Sequence, residues 1–516
     1  MSNVGVWNIA DAEPDRLAIV DPDGSQTSYR ELAELTNRYV HGLRARGMRT
    51  GDVLAVLLPN GSDILALFLA AAEGGFYIVP VNWHLVGTEV GHILKDSGAT
   101  VFVCHERFAD VGIAAADIAG APGEGRFAVG DVKGFEPLGS LQEGQPSSAP
   151  EDRTAGAPMQ YTSGTTGRPK GVRRPLAGQE PEAIAERNAG FLSLFGIRPF
   201  EDNVHICGSP LYHTAVLVWA SGSVQIGHTV VLMDKWSPEE MLRLIEEHKV
   251  TQAHMVPTQF NRLLGLPEEV RSSYDLSSLR SMVHGAAPCP QEIKRKMIDW
   301  WGPVLIDYYA ATEGGGTLIT SEEWLRKPGS VGLPWPNSEI TVFDDDGNEV
   351  PTGEPGQVYM RMGGSTFEYH KDEEKTRASR LKGYFTVGDI GYLDEDGYLF
   401  LCDRKNDMII SGGVNVYPAE IEGELLMHPK VADVAVFGIP HTDWGEEIKA
   451  VVEPVAGTVP SDELTAEILE FAASRLAKFK LPRSVDWVTE MPRDPNGKLY
   501  KRKLRDPYWQ GRERAI

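Results

Sequence analysis

Cysteine is scarce: the 516 residues hold four, Cys104, Cys207, Cys289 and Cys402, scattered with no CxxC pair. Neither a disulfide framework nor a zinc site is signalled, and a reducing cytoplasm is the expected compartment. Basic charge is also in deficit, with 50 Lys and Arg against 73 Asp and Glu and a formal net charge of −23. A field of that sign repels nucleic acid and anionic membranes, so neither is expected as a partner. The N-terminal residues lack a basic segment followed by an apolar one, which argues against a secretory signal. Long apolar runs are missing too. The most apolar window, ILALFLAAAEGGFYIVPV, is broken by Glu73, Gly74, Gly75 and Pro80 before it reaches the length of about 20 residues that an integral membrane span needs. It reads as a buried helix, a turn and a core strand. No internal repeat, coiled coil or low-complexity tract is evident.

What remains is ordinary globular usage, 42% hydrophobic and 24% charged, which excludes a disordered or fibrous chain. At about 150 residues per domain the length points to roughly three units. A helical pattern over residues 29–46 alternates with strand-like runs at 53–58, 76–81 and 100–104, predicting α/β layers with parallel strands. A stretch rich in Gly, Pro, Ser and acids, 119–158, reads as a surface excursion. Helix-then-strand pairs recur at 237–249 with 252–256 and at 290–300 with 304–308, predicting a second sheet layer. From Gly332 to Phe400 the texture changes to short β segments with DDDGNEV, TGEPG and DEDGY turns, which suits a small β-barrel or distorted sheet.

From about Ile409, strands and helices mix again over a length sufficient for a small α/β domain. From Arg475 to Ile516 the chain carries 12 Lys and Arg against 5 Asp and Glu. This local excess reads either as a solvated basic tail or as a mobile cap that brings positive charge to an anionic substrate.

The segment Tyr161-Thr162-Ser163-Gly164-Thr165-Thr166-Gly167-Arg168-Pro169-Lys170-Gly171 packs four Ser and Thr hydroxyls, three glycines and two cations into eleven residues directly after a strand-like run. Glycines let backbone N–H groups approach phosphate oxygens, hydroxyls donate further bonds, and the cations add charge-assisted contacts. The spacing is not that of a Walker A loop, because no Ser or Thr follows Lys170 to hold magnesium. Kinase-type mechanisms are therefore disfavoured.

These residues resemble the phosphate-loop signature of the adenylate-forming superfamily of acyl-CoA synthetases, nonribosomal peptide adenylation domains and luciferases. Further matches follow in family order: Tyr309-Ala310-Ala311-Thr312-Glu313, with Ala310 where glycine is usual; Thr386-Val387-Gly388-Asp389; Asp403-Arg404-Lys405-Asn406-Asp407; and Pro495-Asn496-Gly497-Lys498. The fold that the resemblance implies is α/β. A large N-terminal region, 1–405, comprises two αβ-layered subdomains and a small β-barrel-like subdomain at about 332–402. A small mobile α/β C-terminal domain, 406–516, turns about a hinge at Asn406, where many relatives carry Lys or Asp. Asn tolerates unusual dihedrals well.

The resemblance implies two steps: a carboxylate attacks the α-phosphorus of ATP to give acyl-AMP and pyrophosphate, and a thiol then attacks the acyl carbonyl. Two anions must meet in the first, so an ammonium between them is valuable. Lys498 matches the family's catalytic lysine. Thr312 is expected to bond the α-phosphate and Glu313 to hold Mg²⁺, since a hard cation wants carboxylate oxygen. ATP or AMP is expected against Thr162, Ser163, Gly164, Thr165, Thr166, Gly167 and Lys170. The adenine is expected against the turn Gly285-Ala286-Ala287 and the segment Asp307-Tyr308-Tyr309-Ala310. Asp389 and Arg404, fifteen residues apart around the Asp394-Glu395-Asp396-Gly397 turn, are expected to meet the ribose or phosphate. Ser411, Gly412 and Gly413 are expected to face the pantetheine arm of coenzyme A, or else make a plain turn.

The acyl pocket is expected around Tyr212, Trp219 and the run Gly314, Gly315, Gly316. His213 either orients the carboxylate or is structural. Three glycines remove three side chains from a presumed wall, which favours a bulky apolar acid (long alkyl, aryl, terpenoid or steroid) over acetate. No Asp is obviously placed for an amino group. The expected activity is an AMP-forming acid–thiol ligase using ATP, Mg²⁺ and coenzyme A. A stand-alone enzyme that loads an acyl or aryl acid onto a carrier protein is the alternative, and a homodimer is left open.

Overall fold

The computed structural model describes residues 3–162, 170–311, 313–363, 367–493 and 497–510. The chain folds into two compact units, one of Met1–Met255, Glu268–Val283 and Gly364–Ala378, the other of Val256–Pro267, His284–Gly363 and Ser379–Ile516.

In the first unit six strands form a parallel sheet in the order Glu136–Pro137, Arg126–Val129, Ala99–His105, Val53–Leu57, Tyr77–Pro80, Ala157–Pro158. Val53–Leu57 is buried along its whole length, as a parallel strand covered on both faces requires. The apolar window resolves as expected into the helix Ser62–Gly74, a left-handed Gly75 that ends it, and the strand Tyr77–Pro80. Among the described residues no helix is long and apolar enough to cross a membrane. The stretch 119–158 departs from its reading as a surface excursion. It supplies three strands of this sheet, and its Phe127, Leu138 and Leu141 join the core. Strands of two to four residues separated by Gly and Pro are too short to show a hydrophobic period.

A second sheet of this unit runs Gln26–Ser28, Leu17–Val20, Thr229–Leu232, Val204–Cys207, Gln252–Met255. All its pairings are parallel except that of the edge strand Gln26–Ser28. Helix Thr214–Gln225 lies on Val204–Cys207 and Gln252–Met255, with helix Pro181–Ser193 packed on it in turn. It is buried on nearly every side, as a helix between two layers is. A third, antiparallel sheet joins Gln160–Thr162, Lys170–Arg173 and Glu368–Tyr369.

The second unit contains an antiparallel sheet ordered Leu305–Ala310, Gly316–Thr320, Ser330–Pro334, Leu399–Arg404, Asp389–Leu393, Gly356–Met362, with Ser338–Phe343 also paired to the last. The β-rich texture expected from Gly332 is present, and the sheet already starts at Leu305. After it comes a five-stranded sheet in which the long hairpin Val431–His441 and Gly445–Pro454 is flanked by Ile409–Ser411 and Ser484–Trp487. Helices Pro418–Leu425 and Asp462–Ala473 close its core around Ile421, Val434, Val436, Ile448 and Ile468. The chain is thus a mixed α/β protein with a large N-terminal part and a small C-terminal α/β part.

Candidate active site

Three residues expected to hold the nucleotide meet in the second unit. Asp389 and Arg404 stand directly opposite each other on the antiparallel strands Asp389–Leu393 and Leu399–Arg404. The turn between them is tied by the Asp394 carboxylate, which accepts from the N–H groups of Asp396 and Tyr398 and pairs with Lys327 at 2.8 Å. Register therefore sets the Asp389 Oδ1 to Arg404 Nε approach of 3.4 Å. Tyr309, on Leu305–Ala310, donates its hydroxyl to Asp389 Oδ2 at 2.6 Å. Burial, then the Asp389 charge, pushes the Tyr309 phenol well above its ordinary pKa, and the Glu313 charge acts in the same direction. That hydroxyl stays protonated and serves as a donor. Glu313 itself is buried.

Next to this group the backbone is tight. Gly285 is buried, and a Cβ there would lie 2.7 Å from the Tyr308 ring. Ala286 follows at φ +67°, a left-handed conformation uncommon for a residue with a side chain, and Ala286 is exposed while Ala287 is half-buried. Asp307 is engaged internally. The fully buried Lys294 donates to its Oδ2 at 2.8 Å, and His284 Nδ1 lies 3.6 Å from its Oδ1. Burial holds the His284 ring neutral, its pKa pushed down to about 4. Nothing in the sequence pattern singled out Lys294, since a lysine in an amphipathic helix reads as solvent-facing.

The glycines after Glu313 do less than their smallness suggested. Gly314 and Gly315 have φ of +125° and +75°. A Cβ on Gly315 would lie 3.3 Å from Met360 Cβ and from Ser338 Oγ, and one on Gly316 would press on the Tyr309 carbonyl and lie 2.5 Å from the Trp335 ring. Met360, Ser338 and Trp335 already occupy that space. A side chain at Gly315 or Gly316 would therefore meet these neighbours.

In the first unit, Lys170 begins the second strand of the hairpin after Tyr161 and forms an ion pair with Asp372, whose carboxyl it holds below the usual range. Ser163, Gly164, Thr165, Thr166, Gly167 and the side chain of Thr162 lie outside the described residues, as does Thr312. His213 precedes helix Thr214–Gln225, its ring 4.3 Å from that of Tyr212. The Tyr212 hydroxyl is 3.2 Å from His84 Nδ1, whose ring stacks on Trp83 at 3.6 Å. Trp219 packs edge-on against Phe191 and Phe195, 5.3 and 5.2 Å away, and its ring lies tilted to that of His254 at 5.0 Å. Trp83, His84 and Phe191 lie in no sequence motif.

The family model described as AMP-binding enzyme matches residues 6–370, and that described as AMP-binding enzyme C-terminal domain matches 420–498. The chain belongs to the AMP-binding enzyme family. The chain is 33% identical to the fatty acid–[acyl-carrier-protein] ligase ScoC of Streptomyces coeruleorubidus, covering 98% of this chain and 96% of that one. It is 34% identical to a long-chain-fatty-acid–CoA ligase of Mycobacterium tuberculosis, covering 98% and 99%. Among solved structures it is similar to the o-succinylbenzoate CoA synthetase of Bacillus subtilis in complex with its acyl-adenylate intermediate. The TM-score is 0.80 and the identity 28%, over 97% of each chain.

Lys498 closes the second matched stretch of this AMP-binding enzyme. Asp494, Pro495 and Asn496 lie outside the described residues. Gly497, at φ +76°, accepts from Arg493, which also pairs with Asp433 at 2.5 Å. A Cβ on Gly497 would lie 2.6 Å from Thr258 Oγ1, so the loop bearing Lys498 rests on the start of helix Pro257–Leu264. At the expected hinge, the Asn406 carbonyl accepts from Arg505 Nη1 at 3.3 Å, and the same nitrogen lies 3.4 Å from Asp407 Oδ1. Ser411, Gly412 and Gly413 form a hairpin turn between Ile409–Ser411 and Val414–Val416 in which both glycines have positive φ, the geometry a two-residue hairpin loop demands.

Proposed function

We propose that the protein is an AMP-forming acid–thiol ligase that converts a bulky hydrophobic carboxylic acid to its acyl-AMP, releasing pyrophosphate, and then transfers the acyl group to coenzyme A. The observation that carries the nucleotide half of this reading is the convergence of Tyr309, Asp389 and Arg404 on one point of the second unit. In this reading Asp389 accepts from the ribose hydroxyls, Arg404 donates to ribose or phosphate, and Tyr309 orients Asp389 and lies against adenine. Lys498 sits between the attacking carboxylate and the α-phosphate, lowering the cost of bringing two anions together. Lys170 and the hydroxyls and glycines of 162–167 hold the departing phosphates.

Among the described residues no cluster of three or more His, Cys, Asp or Glu side chains forms a standing metal cage. One buried carboxylate, Glu313, fits Mg²⁺, an ion that takes one or two protein carboxylates and shares the substrate's phosphates. Bound there, the ion would supply charge neutralisation of the triphosphate. The domains are 1–405 and 406–516, with rotation about Asn406 exchanging adenylation for thioester formation. The compartment is the cytoplasm, in keeping with scattered free cysteines.

The bulk of the acid is supported by the relative from Mycobacterium tuberculosis named for long-chain fatty acids and by the aromatic surroundings of Tyr212 and Trp219. The similarity to an acyl-carrier-protein ligase favours a second reading, in which the acceptor is the thiol of a carrier protein. Pyrophosphate release over a panel of acids, with and without coenzyme A, tests both. Acid-dependent pyrophosphate together with an acyl-CoA product is expected. Pyrophosphate without any thioester to coenzyme A transfers the assignment to carrier loading.

A further inference from the structure

Beneath helix Thr214–Gln225 the second sheet of the first unit buries polar side chains where aliphatic ones ordinarily pack. His205 pairs with Gln252 in the parallel ladder of Val204–Cys207 and Gln252–Met255. Neighbouring positions in register point to the same face, as do residues two apart. His205, Gln252 and His254 therefore share a face. That face is the helix side, because Gln252 Nε2 reaches Ser223 Oγ at 3.3 Å and His254 meets the Trp219 ring. Trp219 and Ser223, one helical turn apart, look down on the group.

The hydrogen bonding of this group is incomplete within the protein. His205 has no exposed surface, and neither its Nδ1 nor its Nε2 has a hydrogen-bond partner. Gln252 Oε1 beside it is likewise buried and unbonded, although Gln252 Nε2 is engaged by His228 Nδ1 at 2.8 Å. Each buried polar atom left unsatisfied costs about 1 to 3 kcal/mol. Such atoms are rare in folded proteins unless something else meets them.

We propose that the acid taken by this enzyme carries a neutral oxygen function, a hydroxyl or a carbonyl, at the end remote from its carboxylate, and that His205 with Gln252 receives it. The inference rests on the acid–thiol ligase reading and narrows its substrate class. A neutral imidazole offers one N–H donor and one acceptor nitrogen, which suits a hydroxyl or a keto group. Burial and the neighbouring His254 and His228 keep the ring uncharged, with its pKa pushed down to about 3. A second carboxylate at that end would therefore meet no cation and bear the full cost of burying a charge. A site built to hydrogen-bond a substrate oxygen discriminates strongly against the analogue that lacks it.

The test uses the full chain and matched acids that differ in one distal oxygen: 4-hydroxycinnamate with cinnamate, 12-hydroxydodecanoate with dodecanoate, and a terminal keto acid with its deoxy counterpart. ATP-dependent pyrophosphate release gives kcat/KM for each. In at least one pair the oxygenated acid is expected to be favoured tenfold or more. In His205→Leu that ratio is expected to fall to near one, while His205→Gln, which keeps a donor and an acceptor, retains part of it. Two results overturn the inference: no preference for the oxygenated member of any pair, or a preference that His205→Leu leaves intact. If His205→Leu does not fold, as judged by its circular dichroism, the wild-type pairs and His205→Gln decide. Absence of acid-dependent pyrophosphate from every acid overturns the ligase reading itself, and this inference with it.

Discussion

Tyr309, Asp389 and Arg404 show how much one side chain carries at this site. The Tyr309 hydroxyl makes a short bond to Asp389, and a bond of that kind contributes about 1 to 2 kcal/mol. Tyr309→Phe is accordingly expected to raise the KM for ATP about tenfold with a smaller change in kcat, and an unaltered KM would count against the nucleotide site placed here. Lys498→Ala is expected to abolish pyrophosphate release while thioester formation from supplied acyl-AMP survives. Equal loss in both half-reactions would show that the lysine serves the fold or both steps alike. Both residues were legible because each lies in a short contiguous motif, where neighbours along the chain are also neighbours in space. Lys294 and His205 were not. A lysine or histidine in an ordinary helix or strand pattern declares its burial only when distant elements close over it.

Elements decide where glycine smallness and buried charge matter. Gly316→Val would drive its Cβ into the Tyr309 carbonyl and Trp335, with a cost of about 1 to 3 kcal/mol from overpacking. The expected result is a lower midpoint in urea unfolding with little change in slope; a stable variant that loses activity selectively on larger acids would support the roomy-wall reading. On helix Ser62–Gly74, Glu73 is buried and pairs with Arg153 at 2.7 Å, and Arg153 also pairs with Glu182 at 2.7 Å on helix Pro181–Ser193. Burial, opposed by Arg153, pushes Glu73 up to about 7. Between its ordinary value of about 4.5 and about 7, the folded protein keeps a proton that the unfolded chain has released, so stability falls as pH rises through that window. Relative to Glu73→Gln, the wild type is expected to lose stability between pH 5 and 7.5 by urea unfolding, and a difference independent of pH would contradict the raised value. The pattern of helices and strands around these residues followed from periodicity. The short strands of 126–158 did not, because two to four residues cannot display a period.

The proposed rotation of the C-terminal domain about Asn406 concerns the whole molecule, and at that position Arg505 bridges the Asn406 carbonyl and Asp407. Arg505→Ala is expected to shift the balance between the two half-reactions by several-fold, and Asn406→Pro to block their exchange. Single-turnover rates of acyl-AMP formation and of thioester formation measure this, and unchanged rates for both variants would place the hinge elsewhere. Among the described residues of the basic C-terminal stretch, Lys501 pairs with Glu422, Lys480 with Glu420 and Arg493 with Asp433, so part of its positive charge is matched by nearby acids. The sequence by itself determined the family, the order of layers and the local motifs, because these depend on residues within about ten positions of one another. Tertiary structure alone decided that Trp335 and Met360 fill the space beside Gly316 and Gly315, that Lys294 is spent on Asp307, and that His205 faces the helix side without a partner. Each of these joins side chains far apart along the chain, and burial is settled only when the layers pack.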